Sequence, residues 1–475
     1  MDTIADTRWT PAEETPRLAD PGRTWRRALR RRLLVADAAV VLCWASTALA
    51  VGLYLVNGAL AAMASPADAV NGLGIVTGLA GTNLILIMVV LAARIPWLDR
   101  AVGQDVVMGW HRALGKPVLC LLTAHAVLLT VGYALQDGTS VIAETASFLS
   151  VGDLLYAYLA FALLLAVVVT SLIAVRRRFA YELWHVVHLL SYAAVLFALP
   201  HQLSVGGVLA DGAIQRIYWI LLYVAAYAAI LWFRIVKPLV GSLRHRFRVT
   251  AVERVAADVV SIHLHGRNQE RLRVSGGQYA NWRFLTARDW WHAHPLSYSA
   301  LSDDGGVRLT VRLTGSGTRS LSALRPGTPV MVEGPYGLFT KAARTQPSVA
   351  LMAAGIGVTP IRSMLEELAP APGEATILLR ASDESQLYLW NEMLSLSRRY
   401  GADCYADLGS RSTVRAPWLS AVAVQRGVTL ESVFPRITDS DLYVCGPSAW
   451  TDAVVHDAKR AGLKDPQIHV ERFDW

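Results

Sequence analysis

Long apolar stretches dominate the first half of the chain, and short polar segments separate them. Six stretches reach the roughly 20 residues that a helix needs to cross the ~30 Å hydrocarbon core of a bilayer. They are Leu33–Val56, Leu73–Ala93, Val106–Leu135, Leu154–Val175, Leu183–Val205 and Ile214–Val236. The pattern predicts a six-helix transmembrane bundle over residues 33–240. We expect the polar and basic arm before it, residues 1–32, to be disordered.

Lysine and arginine alternate between the two sides of this predicted bundle. The N-terminal arm, the loops at 94–105 and 176–180, and the segment after Lys237 are basic. The loops at 57–72, 136–153 and 202–213 contain no Lys or Arg. Because basic loops stay in the cytoplasm, we expect a multi-pass protein of the cell (plasma or inner) membrane with both termini cytoplasmic.

Beyond the last apolar stretch, the periodicity changes twice. Residues 244–342 carry short runs typical of β-strands, separated by Gly, Pro and Asp, which predicts a small antiparallel β-barrel. Residues 346–475 repeat a strand, a glycine turn and a helix, which predicts an α/β domain with a parallel sheet. The fold class is therefore a multi-domain membrane protein with two soluble domains after the bundle.

Composition narrows the classes of function. Hydrophobic residues make up 53% of the chain and charged residues 17%, and the net charge is +8. The basic residues flank apolar segments, as in the run from Arg26 to Arg32, which indicates lipid headgroups rather than nucleic acid as their partner. The four cysteines are scattered without a CxxC pair, so we expect no disulfide framework, iron–sulfur cluster or zinc site.

Histidines inside the membrane spans are the first candidates for chemistry, since buried polar groups in lipid tend to mark function. The third span carries His111 and His125, and the fifth carries His185, His188 and His201. Fourteen residues of helix advance about 21 Å and turn nearly four times, so His111 and His125 share one face. His111 can face His188, and His125 can face His201. The alternative is that these are core histidines bonded to neighbouring helices.

The second pair has a register problem. His188 and His201 are thirteen residues apart, which places them roughly 140° out of register on an ideal helix. Pro200, immediately before His201, offers a kink that would correct it.

The run Trp184-His-Val-Val-His188-Leu-Leu-Ser-Tyr192, followed by His201, resembles the ferric reductase-like transmembrane domain of NADPH oxidases and ferric reductases. The resemblance implies two b-type haems held by His111, His125, His188 and His201, with His185 as an alternate or supporting residue. Arg216, at the outer end of the sixth span, is expected either to pair with a haem propionate or anionic product or to snorkel to the interface.

Residues 294–299, His-Pro-Leu-Ser-Tyr-Ser, follow Gly277-Gln-Tyr-Ala280 and resemble the flavin motif of the ferredoxin reductase superfamily. The resemblance implies FAD, with His294 at its ribityl or phosphate region and Ser297 at N5. It places Pro295 and Ser299 in the same site. Leu296 stands where the family has an aromatic, and Tyr298 is the expected substitute. The turn containing Gly315, Gly317 and Thr318 can wrap a pyrophosphate or be a plain hairpin.

Gly355-Ile-Gly357-Val-Thr359-Pro360 and the later Cys445-Gly446-Pro447 resemble the nicotinamide domain of the same superfamily. The resemblance places Cys445 beside the nicotinamide and gives Trp475 the part of an aromatic that covers the flavin. Arg380 and Arg411 are candidates to hold a 2′-phosphate, which favours NADPH. Asp383 and Glu384 leave NADH open.

Together these features predict a flavocytochrome that moves electrons from cytoplasmic NAD(P)H through FAD and two haems to an outer acceptor. The catalytic residues would be Ser297, Cys445 and Trp475. We expect O₂ as acceptor, with superoxide as product; a ferric chelate, a quinone or an external redox partner is the alternative. A non-enzymatic transporter or sensor with a vestigial reductase domain, and a haem-free flavoprotein with a structural anchor, are the alternatives from other classes.

Overall fold

The computed structural model describes residues 23–175, 181–205, 208–209, 214–287, 289–301, 306–413 and 415–473. These residues form two compact units, one of them Leu33–Val236 and the other containing the chain from Lys237 onward. Each unit is described by itself below.

The first unit is helical. Its helices are α1 (Arg23–Tyr54), α2 (Leu60–Ala62), α3 (Pro66–Ala92), α4 (Pro96–Val102), α5 (Gln104–Asp137), α6 (Val141–Ser150), α7 (Gly152–Val175), α8 (Tyr181–Phe197), α9 (Leu199–Ser204) and α10 (Ile214–Ile230), with π-helical turns at Leu55–Ala59 and Leu231–Val236. Among the described residues, six helical runs are long and apolar enough to cross a membrane. The predicted number of spans is therefore confirmed. The runs are Arg30–Tyr54, Pro66–Ala92, Gln104–Asp137, Gly152–Leu172, Leu183–Ser204 and Ile214–His245.

Local sequence explains where the second span begins and where the third span ends. The side chain of Ser65 accepts from the N–H of Asp68, and Pro66 occupies the first turn, where its missing N–H costs nothing. At the end of α5, Gly138 adopts the left-handed conformation (φ 65°) that terminates many helices. These caps set the start of the second span and the end of the third independently of hydropathy.

The fifth span is broken just before His201. Helix α8 ends at Phe197, and α9 begins at Leu199 with Pro200 in its first turn. Proline has no N–H and its ring crowds the preceding turn, which favours a helix break at this position. The break supplies the change of register that the spacing of His188 and His201 required.

Helices α3 and α5 pack through small residues. Gly74, Gly78 and Gly81 lie on the face of α3 that contacts α5, and a β-carbon at Gly74 or Gly81 would lie 2.9 Å from a leucine side chain of α5. In a membrane such small residues let two helix backbones approach closely, and van der Waals packing then holds the pair. This contact brings α3 alongside the two histidines of α5.

The second unit begins with α11 (Lys237–His245) and an antiparallel sheet. Its strands are β1 (Arg248–Ala256), β2 (Val259–His265), β3 (Tyr279–Phe284), β4 (His294–Leu301), β5 (Gly306–Arg312) and β6 (Val330–Tyr336), with the short helix α12 (Ser316–Arg319) between the last two. The strand order is β1-β2-β5-β4-β3-β6. The predicted barrel is thus a six-stranded sheet whose edges meet at one bridge, where Arg248 pairs with Pro329. Phe247, Trp282, Phe284 and Tyr298 fill its core.

The rest of the unit is a parallel sheet with helices on both faces. Its elements are β7 (Ser348–Ala354), α13 (Val358–Leu368), β8 (Ala375–Ala381), α14 (Trp390–Tyr400), β9 (Asp403–Leu408), α15 (Ala421–Gln425), α16 (Leu430–Val433), β10 (Ser440–Gly446), α17 (Ser448–Arg460) and β11 (Ile468–Arg472). Alternate residues of β7, such as Leu351 and Met352, enter separate cores on the two faces. The strand order β11-β10-β7-β8-β9 reverses between β7 and β10, where open parallel sheets bind ligands at the carboxyl ends of their strands.

Candidate functional site

Four of the five histidines in the third and fifth spans form two facing pairs. The ring centroids of His111 and His188 are 6.2 Å apart, and those of His125 and His201 are 6.4 Å apart. His185 instead lies beside Trp184, with ring centroids 6.4 Å apart. The structure therefore brings together the pairs predicted from the spacing.

Hydrogen bonds fix how the two histidines of α5 present their rings. The Nδ1 atom of His111 lies 3.1 Å from the carbonyl oxygen of Met88, and Nδ1 of His125 lies 2.8 Å from that of Gly74. A carbonyl oxygen only accepts, so Nδ1 carries the proton and Nε2 of each ring keeps its lone pair. A backbone carbonyl that accepts from the other ring nitrogen is the usual partner of a metal-binding imidazole.

These pairs fit an iron porphyrin held from both faces. Two imidazoles that each bind one metal ion at about 2.0 Å place their ring centroids about 6 Å apart, close to both separations found here. The buried Nδ1 atom of His188 makes no hydrogen bond with a described residue, so this ring is not tied to a neighbouring helix in the way expected of a core histidine.

Arg216 supports the segment after His201. Its Nη1 atom donates to the carbonyl oxygens of Leu203, at 3.2 Å, and Leu209, at 3.0 Å. These bonds tie the end of α9 to the start of α10, so the arginine has a structural task that neither sequence-based interpretation included.

His294 lies at the start of β4 in an apolar setting. Its side chain is 4% exposed, its ring lies 6.0 Å from Phe284 and 5.3 Å from His292, and its Nε2 atom makes no hydrogen bond with a described residue. Burial, with the neighbouring His292, lowers the pKa of His294 to about 4. At neutral pH the ring is therefore uncharged, and it can serve a phosphate as a hydrogen-bond donor.

The remaining residues of the motif point to two sides of the sheet. Ser297 is buried and pairs with Tyr279 of β3, Pro295 is exposed, and Ser299 bonds to Thr310 at 2.9 Å. Leu296 and Tyr298 instead belong to the core. Tyr298 is completely buried against Trp282, so its ring is not presented to a flavin, contrary to the stacking role expected for it.

The glycine turn after β5 lies beside this motif. A β-carbon at Gly317 would lie 3.5 Å from His292 and 3.6 Å from His294. The hydroxyl of Thr318 accepts from the N–H groups of Thr314 and Gly315, so these two groups are already used within the turn. The turn and His294 together form one polar corner, although Gly315 is not a free donor to a pyrophosphate.

The two nicotinamide motifs meet at the point where the strand order of the parallel sheet reverses. Gly355 follows β7 with φ +56°, and a β-carbon at Gly357 would lie 2.3 Å from the carbonyl oxygen of Cys445. On the other side, a β-carbon at Gly446 would lie 3.0 Å from the β-carbon of Ala354. Both loops therefore need glycine to approach each other. The buried Thr359 and Pro360 then begin α13, and Pro447 leads into α17.

Cys445 and the last residues of the chain close this edge of the sheet. The thiol is fully buried, and burial raises its pKa, so it is not a reactive thiolate. The N–H of Phe473 donates to the carbonyl oxygen of Gly446 at 3.0 Å, which holds the C-terminal segment against the Cys-Gly-Pro turn. Trp475, the expected cover of the flavin, lies outside the described residues.

Arg380 does not match the role expected for it. Its guanidinium is 4% exposed, pairs with the carboxylate of Asp407 at 3.3 Å and donates to the carbonyl oxygens of Ala381, Asp407 and Gly409. A guanidinium so occupied inside the protein cannot also hold a 2′-phosphate, and that expectation is corrected. Arg411 is exposed, with its Nε donating to Pro417 at 2.9 Å, and it stays a candidate.

One ionic cluster that the sequence did not reveal joins the two sheets. Both Nη atoms of Arg308, on β5, donate to the carboxylate of Glu392, on α14, at 2.8 and 2.7 Å. Arg362, on α13, donates to the same carboxylate at 2.9 Å and to the carbonyl oxygen of Ser299 at 3.2 Å. Arg308 also bonds to the hydroxyl of Ser299 at 3.1 Å. The cluster thus fixes β4 near Ser297 relative to the helix that follows the glycine loop.

Family models match both halves of the chain. Residues 77–199 match "Ferric reductase like transmembrane component", and residues 351–456 match "Oxidoreductase NAD-binding domain". The first match contains His111, His125 and His188, and the second contains the glycine loop and Cys445. The chain thus combines a ferric reductase-like transmembrane region with an oxidoreductase nucleotide-binding region.

Each of the individual relatives is similar to only part of this chain. The toluate 1,2-dioxygenase electron transfer component of Pseudomonas putida is 24% identical over 233 residues, which are 47% of this chain and 66% of that protein. Ferredoxin–NADP reductase B of Sorangium cellulosum is 28% identical over 188 residues, 37% of this chain and 76% of the other. The chain spans 66%, 63% and 42% of the length of the first three curated relatives.

Among solved structures, the flavohem-like FAD/NAD-binding domain of nitric oxide dioxygenase from Vibrio cholerae O1 biovar El Tor is similar. It is 22% identical, with a TM-score of 0.40, and the match covers 48% of this chain and 99% of that one.

Proposed function

We propose that this chain, with its ferric reductase-like membrane region and oxidoreductase nucleotide-binding region, carries electrons across a membrane from NAD(P)H, through FAD and two b-type haems, to O₂. The reductase half would lie in the cytoplasm, on the side of the basic loops. When bound, FAD accepts a hydride and releases electrons singly, and each haem iron carries one electron.

The observation that carries this proposal is that four histidines face each other in two pairs, His111 with His188 and His125 with His201. His111 and His125 are fourteen residues apart on α5, so the two pairs lie about 21 Å apart along the helix. Two iron sites at that spacing would divide the path of an electron across the membrane into shorter steps than a single site would. A lone pair of histidines would fit a structural role; two facing pairs at different depths fit a relay.

The residues of the antiparallel sheet would bind and orient the flavin. Ser297, at the middle of β4, is the candidate donor to N5, while the neutral His294 and the turn at Gly317 would hold the phosphates. The cluster around Glu392 keeps this strand in fixed register with the glycine loop of the parallel sheet. Such fixed orientation is the main contribution that a protein makes to cofactor chemistry.

The parallel sheet would bind the dinucleotide. Gly355 and Gly357 would let the dinucleotide pass close to the sheet. Cys445 and Gly446 form the opposite side of this site. The exposed Arg411 favours NADPH over NADH, because its guanidinium, unlike that of Arg380, is open to solvent.

The sequence of the outer loops supports O₂ as acceptor. Because the loops at 57–72, 136–153 and 202–213 contain no Lys or Arg, they offer no basic site for a large anionic chelate. Ferric-chelate reduction is the second candidate, and the match of residues 77–199 to a ferric reductase-like component favours it. If His125 and His201 both held the outer haem, either acceptor would have to be reduced without binding to its iron.

Anaerobic reduction tests the proposal. Purified protein is mixed with NADPH without oxygen, haem bands are recorded, and then O₂ or a ferric chelate is added. We expect reduced haem bands that O₂ reoxidises faster than the chelate does, with superoxide as product. Bleaching of a flavin without any haem band would contradict the relay, and faster reoxidation by the chelate would favour the second candidate.

A further inference from the structure

Aromatic rings extend the flavin motif toward the surface in a continuous series. The ring of His294 is stacked on that of His292 at 5.3 Å, with the planes 26° apart, and His292 lies 4.9 Å from Trp291. The series begins at Phe284 in the core, 6.0 Å from His294, and ends at the surface. It therefore connects the predicted phosphate corner to an exposed indole.

The exposed end of this series has no packing role in the described structure. Trp291 is 50% exposed and Trp290 is 60% exposed, and neither belongs to a core cluster. Two adjacent exposed indoles on a soluble domain are costly unless something covers them, and such rings commonly mark a binding surface. Their position suggests what covers them.

The order of sites along the chain matches the order of groups in FAD. Ser297 is the candidate partner of the isoalloxazine ring, and three residues earlier His294 lies against the turn at Gly317, where phosphates would sit. Another three residues back is Trp291. At about 3.3 Å per residue each interval spans at most about 10 Å, which suits a dinucleotide lying along this edge. Beyond the pyrophosphate of FAD comes the adenine.

We propose that Trp291 stacks on the adenine of FAD, and that this contact makes the site prefer FAD to FMN. The inference rests on the proposed function, since it presumes a flavin on β4. A purine has a flat π-face with no requirement for specific hydrogen bonds, and an indole is well suited to stack on it. Trp290 is the matched control, being adjacent, of the same type and similarly exposed.

Flavin affinity measured on the full-length protein tests this. The bound flavin is removed in detergent, and FAD or FMN is titrated back while flavin fluorescence is followed. We expect W291A to weaken FAD binding about tenfold or more, the usual range for loss of one base–aromatic stack. FMN affinity should stay unchanged, because FMN has no adenine. W291F should recover most of the loss, and W290A should change FAD affinity less than threefold.

Three outcomes would overturn the inference. Equal FAD affinity in W291A and the wild type would leave the two indoles as a surface for lipid. Equal weakening of FAD and FMN would mean that the substitution disturbs the flavin ring site. A larger effect of W290A than of W291A would mean that Trp290, and not Trp291, contacts the adenine. Failure of the flavin site on which the inference rests would look different, since the wild type itself would then bind neither flavin.

Discussion

Gly78 faces the ring of His125 so closely that a β-carbon at position 78 would lie 2.4 Å from the Nδ1 atom of the histidine. The carbonyl oxygen that accepts from Nδ1 belongs to Gly74, one turn earlier on the same helix. Helix α3 therefore supplies both the space for this ring and the hydrogen bond that orients it. The imidazole depends on α3 as much as on its own helix.

Alanine at Gly78 should displace His125. The added methyl group would push the ring off the carbonyl of Gly74 and away from His201, so G78A should lose roughly half of the haem absorbance, the share of one of two haems. Haem content per protein, measured by pyridine haemochrome, checks this.

Gly72 provides the matched control on the same helix. A β-carbon there would meet the tip of the flexible Met63 side chain, which can move aside. G72A should therefore keep its full haem content. An intact haem content in G78A, or an equal loss in both variants, would argue against a specific role for Gly78.

The membrane half was largely predictable because its signals are local. Hydropathy alone located six spans, and the interval of fourteen residues between His111 and His125 placed both on one helix face. The position of His201 was less predictable, because helical periodicity cannot describe a helix that breaks at Ala198. The role of Gly78 could have been found from the spacing of Gly74, Gly78 and Gly81, which is typical of close helix packing.

Nucleotide specificity should depend on Arg411 and not on Arg380. Loss of the exposed guanidinium in R411A should raise the KM for NADPH about tenfold and leave that for NADH nearly unchanged, as expected for one charge-assisted contact to a phosphate. Steady-state kinetics with both nucleotides measures this. An equal KM for NADPH in R411A and the wild type would remove Arg411 from the site.

R380A should lose stability instead. It would leave the buried carboxylate of Asp407 without its partner, which typically costs about 3–5 kcal/mol. The unfolding temperature should therefore fall in R380A and stay unchanged in R411A. A selective rise in the KM for NADPH in R380A would contradict the structural assignment.

The reductase half shows why some roles could not be predicted. The sequence places Arg380 just after a strand, whereas it is the penultimate residue of β8, and it correctly brings Gly355 and Cys445 to the carboxyl ends of strands of one parallel sheet. It does not reveal that Asp407, twenty-seven residues later, lies on the next strand and neutralises the arginine. Likewise Arg308, Arg362 and Glu392 are far apart in the chain, and only the packing of the two sheets brings them together. Contacts of this kind leave no periodic signal.

Glu392 should act as a positioning residue. It holds Arg308 of β5 and Arg362 of α13, so E392Q should loosen β4 relative to the glycine loop. Flavin reduction by NADPH should then slow about tenfold or more, since small misplacements of reacting groups are costly. Stopped-flow reduction checks this. The KM for NADPH should change little, because the nucleotide contacts are elsewhere.

D465N is the control for this substitution. Asp465 pairs with Lys459 at 2.7 Å in a surface ion pair with both side chains more than half exposed, and such pairs contribute little. Flavin reduction in D465N should match the wild type. If E392Q also matched it, or if E392Q lost its flavin altogether, the positioning role would fail.

His294 should make the reductase half less stable in acid. Its pKa falls from about 6.5 in the unfolded chain to about 4 in the folded one, so the unfolded state binds more protons between these values. The stability that the neutral His294 contributes to the folded state is fully present above pH 6.5. It is lost as the pH falls toward 4, by about 3 kcal/mol at most.

The unfolding temperature of wild type and H294N at pH 7 and pH 5 measures this contribution. The wild type should lose more stability between the two pH values than H294N, since asparagine does not titrate in this range. Equal losses would mean that His294 is already protonated or already exposed.

The account depends most directly on two haems held by two pairs of histidines. The deciding measurement is the molar ratio of haem to flavin in the purified protein, for the wild type and for H111A, H125A, H188A and H201A. We expect a ratio of about two in the wild type and about one in each variant, since each substitution removes one of the two imidazoles that would hold one haem. A wild-type protein without haem, or variants that keep the full ratio, would contradict the account.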